Sequence, residues 1–168
     1  MTRGRWLVPA RKLLWRQTGR DIVVEALPQR FFARTDPDTG HVQLGTAFWT
    51  LRDDVRREAL WHEGGHVLWT LPEWAGVAAL VSRLPWRRQL LVAALEERRI
   101  NERLQAAGFD VRGVQQFLMQ YNQVQNGWVA RYAYVANGGA IRRVPEGQLF
   151  GQVWGSLTEI VQAVAAIK

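Results

Sequence analysis

His62-Glu63-Gly64-Gly65-His66 is the stretch on which the reading of this chain turns. Residues four apart on an α-helix are neighbours on one face, so a helix through this run lets His62 and His66 direct a ring nitrogen at the same ion. Glu63 sits beside that ion without having to bind it. From there its carboxylate can take a proton from a water that a catalytic zinc has acidified to a pKa of about 7. The run therefore offers two ligands and a general base in an H-E-x-x-H spacing. Two of the chain's three histidines lie in it.

The flanks support a helix from Leu51 to Leu71. Leu51, Val55, Ala59, His62, His66 and Trp69 recur at spacings of three and four, which puts both histidines on the inward face. Thr50 with Asp53 resembles a capping box at the start, and Pro72 predicts a stop soon after His66. Gly64 and Gly65 each cost about 1 kcal/mol relative to alanine inside a helix. Such a departure from local preference fits a functional site, and it equally fits close approach of a neighbouring element.

A catalytic zinc usually takes three protein ligands, and no histidine follows His66. The third ligand must then be a carboxylate, with Glu73, Glu96, Glu97, Glu102, Asp110, Glu146 and Glu159 as the choices. The periodicity predicts a second helix over Trp86 to Ala107, with Leu90, Ala93, Ala94, Glu97, Ile100, Asn101 and Leu104 on its inward stripe. Glu97 interrupts an apolar face, where an unpaired carboxylate is costly unless it meets a cation. Glu96 lies about a hundred degrees further round and is the runner-up. Glu102 shares a charged, solvated face with Arg98, Arg99 and Arg103.

The two segments together resemble the gluzincins, the thermolysin-like metallopeptidases in which H-E-x-x-H is followed by a second helix bearing E-x-x-x-D. Glu97-Arg98-Arg99-Ile100-Asn101 matches that second motif with asparagine in place of the aspartate. The run from Leu95 to Asn101 is also similar to the acidic, arginine-containing helix of small or phage-type metallopeptidases. The resemblance covers roughly Val42 to Leu104. It implies Glu97 as the third Zn2+ ligand, Asn101 as a residue orienting His62 or His66, and Glu63 as the general base of peptide-bond hydrolysis. The fold it implies is zincin-like and of the α+β class: an N-terminal β-hairpin or small sheet packed on the H-E-x-x-H helix, a second glutamate-bearing helix, and a helical C-terminal part. We expect a single domain over residues 1–168.

Upstream, Ile22-Val23-Val24 and Phe31-Phe32-Ala33-Arg34 are β-prone, and the turn cluster from Thr35 to Gly40 leads into His41-Val42-Gln43-Leu44-Gly45, which reads as a hairpin. By the same resemblance Val42 to Phe48 is a candidate edge strand for a peptide substrate, beside the alternative of an ordinary structural hairpin. His41, next to the turn glycine, reads as a surface residue. Downstream, Val114 to Ala136 carries Phe117, Leu118, Tyr121, Val124, Trp128 and Tyr132 at mostly helical spacings. Asn137-Gly138-Gly139 reads as a loop, and Gln148 to Ile167 as a closing amphipathic helix. Tyr121, Tyr132 and Tyr134 are candidates for stabilising an oxyanion. Trp49, Trp61, Trp69 and Trp74 cluster around the motif and read as core filling.

With 168 residues, 48% of them hydrophobic, the chain is long enough for one domain with a core. The absence of cysteine excludes disulfides and thiolate zinc sites. No apolar run matches a secretory signal or a membrane span, so a soluble, cytoplasmic protein is the default expectation. The net charge of +7 concentrates in the first twenty residues, where Arg3, Arg5, Arg11, Lys12, Arg16 and Arg20 stand without an acid. That balance suggests weak non-specific nucleic-acid binding. Two functions follow as expectations. The first is a zinc metallopeptidase acting on a peptide or protein. The second is a catalytically inactive zincin-like binding or assembly protein that uses its basic surface.

Overall fold

The computed structural model describes residues 4–168. Arg3 and the side chain of Arg5, counted above in the basic N-terminal segment, lie outside the described part. The fold is α+β, with three short strands among many helices. It gathers into two compact units, one of residues up to Pro72 with Leu104–Val114, the other of Glu73–Arg103 with Gln115–Lys168.

In the first unit the basic N-terminal segment forms a helix, α1 (Gly4–Thr18), with Ala10 and Leu14 fully buried. Three strands follow, β1 (Val24–Ala26), β2 (Ala33–Thr35) and β3 (Val42–Leu44). β2 and β3 form the expected antiparallel hairpin, with Thr35 opposite Val42 and Ala33 opposite Leu44. The Asp36 carboxylate accepts from the Asp38 and Thr39 amides at 2.9 and 3.2 Å, which builds the turn and holds its pKa below the ordinary value. Gly40 closes the turn at φ +73°, a conformation side chains disfavour.

The sheet order is β1-β3-β2, with β1 parallel to β3. Val42–Leu44 is therefore the central strand. The expectation of an edge strand over Val42 to Phe48 fails: both sides of β3 are paired, and Thr46–Thr50 is a 3₁₀ turn. The free edges belong to β1 and β2.

Helix α2 spans Asp53–Gly65 and buries Val55, Ala59 and His62 as the stripe predicts, and Leu51 is buried just ahead of it. Its start differs from the expected capping box. Arg52 is the N-cap and caps with no side chain, while the Thr50 hydroxyl donates to the Ala47 carbonyl at 2.7 Å. Nor does Pro72 stop the helix. The chain widens into a π-turn over His66–Thr70 and continues as α3 (Leu71–Arg83). Proline in a regular helix strikes the carbonyl four residues back and leaves it without a donor. In the π-turn the Leu71 amide bonds to His66 O, five residues back, which lets the helix pass Pro72.

The second unit is helical. α4 (Trp86–Ala106) follows the expected bounds to within a residue, but its buried face is broader than the stripe read from sequence. Leu91, Val92, Leu95, Glu96 and Arg99 are buried, and Ala93 is exposed. The stretch of mostly helical spacings over Val114 to Ala136 forms two helices, α5 (Arg112–Gln123) and α6 (Trp128–Ala136). Gly127 at φ +100° makes the break, and Val124 is 84% exposed in it. The closing helix is likewise two pieces, α7 (Gly147–Phe150) and α8 (Leu157–Ala165), the second capped by the Ser156 hydroxyl. Tyr132, Val135, Phe150, Leu157, Ile160 and Val164 close the core. Among the described residues no helix is long and apolar enough to cross a membrane.

Candidate metal centre

α2 carries His62, and the π-turn that continues it opens with His66. The Nε2 atoms of His62 and His66 face each other at 3.1 Å, with ring centroids 4.9 Å apart and planes at 75°. Two nitrogens sharing one tetrahedral ion, with bonds of about 2.0–2.1 Å, stand roughly 3.3 Å apart. The pair already approximates that separation. His66 Nδ1 lies 2.8 Å from the Thr70 hydroxyl, and Thr70 is buried. With Nδ1–H donating to Thr70, the lone pair of His66 is left on Nε2, where a ligand needs it. The π-turn carries both residues of this contact.

Glu63 is 5% exposed. The Thr35 hydroxyl, at the end of β2, lies 2.8 Å from Glu63 Oε2 and 3.1 Å from the Glu63 carbonyl. Its one proton is best donated to the carboxylate, which fixes the rotamer of the glutamate. Gly64 has a packing reason: a Cβ there would meet the Gln17 side-chain oxygen at 2.0 Å. Gln17 Nε2 donates to the Trp61 carbonyl at 2.7 Å, so α1 approaches α2 closely at the motif.

His62, His66 and Glu97 each offer one ligand atom, and the three atoms lie within 4.8 Å of one another. Two imidazoles and a carboxylate are a donor set suited to zinc with an open fourth position. The other carboxylates weighed from the sequence are held elsewhere. Glu96 accepts two bonds from Arg99, at 2.6 and 2.7 Å. Glu73 accepts from Arg99 at 3.2 Å and from the Leu157 amide at 2.8 Å, at the head of α8. Glu102 pairs with Arg98, Glu146 with Arg87, and Glu159 accepts from the Gly155 amide. Asp110 pairs with Arg112, whose guanidinium beside it brings the carboxyl pKa down to about 2. His41 is partly exposed and meets Glu25 at 3.1 Å.

Arg99 is not the surface residue that the charge run predicts; its side chain is 1% exposed. Burial works against its charge, and the Glu96 and Glu73 carboxylates outweigh that, so its pKa stands above the ordinary value. The tyrosines divide as well. Tyr132 is buried, its hydroxyl accepting from Arg87 Nε and donating to Glu146, both at 3.1 Å. Burial raises its pKa. Tyr121 is 42% exposed and stacks on Phe117, and the Arg143 guanidinium covers the Tyr134 ring at 4.4 Å. The four tryptophans near the motif are all half-buried.

Against protein-family models, curated proteins and solved structures, the chain matches none. Two residues of the centre escaped the sequence reading. Thr70 stands one turn beyond His66, a spacing that could have flagged it. Thr35 is 28 residues from Glu63, and no local pattern connects them.

Proposed function

We propose that this chain is a zinc-dependent metallopeptidase of zincin-like, gluzincin-type architecture. His62, His66 and Glu97 hold the ion, and Glu63 is the general base. The observation that carries this reading is the convergence of three ligand atoms within 4.8 Å, with the buried Glu63 directly following His62 in the chain. A bound ion there supplies Lewis acidity toward a carbonyl oxygen and acidifies water toward neutrality. The residues of the chain do the rest. Glu63 takes the proton of the attacking water on its carboxylate and later delivers it to the leaving amine. Thr70 keeps the Nε2 of His66 directed inward, and buried Asn101, one turn beyond Glu97, fills the orienting position the resemblance implies.

Metal content by mass spectrometry, paired with cleavage of an unfolded protein substrate, tests this reading. We expect zinc near one per chain. Glu63→Gln should keep the zinc and lose cleavage, and His66→Ala should lose both. Wild-type protein that takes up no zinc, or full cleavage by a verified Glu63→Gln preparation, overturns the proposal.

A further inference from the structure

Where α1 lies against α2, a groove of about 520 Å³ is lined by Lys12 and Arg16 from α1, Arg57 and Trp61 from α2, and Phe109. Lys12 and Arg16 stand one helical turn apart on α1, a like-charge spacing that repels. Arg57 is the third cation. All three are exposed, and among the described residues none of them meets a carboxylate, although Asp53, Asp54 and Glu58 share α2 with Arg57. Those acids are occupied: Asp53 pairs with Arg56, Asp54 with Arg52, and Glu58 accepts from the Val114 amide. The groove thus gathers three cations that, among the described residues, form no ion pair.

Its aromatic wall decides what kind of anion suits it. Trp61 and Phe109 meet edge to face, centroids 5.7 Å apart, and each is only half-buried. Trp15, on the same helix as Lys12 and Arg16, is 57% exposed. Cations that track a phosphate backbone beside rings on which bases stack are the elements of single-strand recognition. An acidic peptide would use the cations and leave the rings idle. A duplex keeps its bases stacked on one another and out of reach.

We propose that this groove binds single-stranded nucleic acid, with phosphates on Lys12, Arg16 and Arg57 and a base against Trp61 and Phe109. The site shares no side chain with the metal centre.

Fluorescence anisotropy of a labelled oligothymidylate of about fifteen nucleotides, a length covering one site, tests it with the full chain. The logarithm of affinity should fall with the logarithm of salt at a slope of about −2, the value for three phosphates on a single strand. Lys12→Glu/Arg16→Glu/Arg57→Glu should weaken binding at least about tenfold more than the charge-matched Arg30→Glu/Arg83→Glu/Arg142→Glu, all six positions being exposed. Phe109→Ala should cost roughly five- to a hundredfold by loss of stacking. Glu63→Gln and Glu97→Gln should bind as the wild type does, so failure here is separable from failure of the peptidase reading. Equal weakening by the two triple variants would overturn the site. Polyglutamate competing as well as the oligonucleotide would replace it with an acidic protein partner, and duplex binding as tightly would remove the role of the rings.

Discussion

Glu96 and Glu97 are neighbours in sequence with opposite tasks, and the two glutamine substitutions should separate fold from site. Glu96→Gln preserves volume and removes one charge. The Arg99 guanidinium it faces is 1% exposed and loses one of two acceptors now at 2.6 and 2.7 Å. Glu73 at 3.2 Å and the Gly155 carbonyl at 3.4 Å remain. Breaking a buried ion pair by removing one partner costs about 3–5 kcal/mol. With Glu73 still compensating, we expect about 3 kcal/mol, a large part of a typical stability of about 5–15 kcal/mol. For a chain of this size that corresponds to a fall in melting temperature of roughly 6–12 °C. Glu97→Gln, at a half-exposed position, should cost less than Glu96→Gln in metal-free protein, because the cost of losing a charge falls with its exposure. The assay is urea unfolding of metal-free protein beside zinc content of the folded fraction. Glu96→Gln should keep zinc, and Glu97→Gln should lose it. A double variant, Glu96→Leu/Arg99→Met, should recover most of the lost stability, because a buried pair is replaceable by apolar residues of similar volume. If Glu96→Gln costs less than about 1 kcal/mol, or if zinc follows Glu96 instead of Glu97, the reasoning fails.

Other outcomes follow from the same geometry. Thr35→Val removes the hydroxyl beside the buried Glu63 carboxylate and should destabilise by about 1.5–3 kcal/mol, the range for a hydrogen bond to a charged group, without loss of zinc; a change under 0.5 kcal/mol in urea melts, well below that range, would refute the contact. Zinc at about a hundred times its dissociation constant should raise stability by about 2.7 kcal/mol, read as an upward melting shift that chelator reverses. Absence of any shift in the wild type would count against the centre. Because burial raises the Tyr132 pKa above its ordinary value of 10.0, the neutral phenol is the form the fold favours. The associated stability is complete below pH 10 and declines as pH rises through the raised value. Absorbance titration should show one tyrosine ionising above pH 10 together with that decline, and Tyr132→Phe should abolish the component.

The parts of the fold that were legible in sequence are those set by one helical period. His62 and His66 fall on one face because four residues span a turn, and α4 ends where the periodicity does. Arg98 with Glu102 paired as a local charge run predicts. What was illegible came from partners distant in sequence. Arg99 belongs to the same run by spacing, yet it is buried because Glu73, 26 residues away, and Glu96 both reach it. Thr35 reaches Glu63 only after the hairpin folds onto α2. β3 became central because β1 pairs with it in parallel, an arrangement that no hairpin signal encodes.

Pro72 shows how a local rule can hold and still mislead. Proline does forbid the regular hydrogen bond at its position, which predicts a helix end. The chain instead inserts a wider turn directly after the motif, moving the mismatch into His66–Thr70. That turn carries the residue that orients His66. The buried place after His66 passes from Trp69, where a continuous stripe puts it, to Thr70. Replacing Pro72 with alanine would remove the reason for the wide turn and permit a regular helix, with gain in helix propensity. Residues four apart share a face of a regular helix, so the Thr70–His66 contact and zinc affinity should be kept while stability rises. A Pro72→Ala variant that gained no stability would show that the π-turn is maintained by tertiary packing and not by the proline.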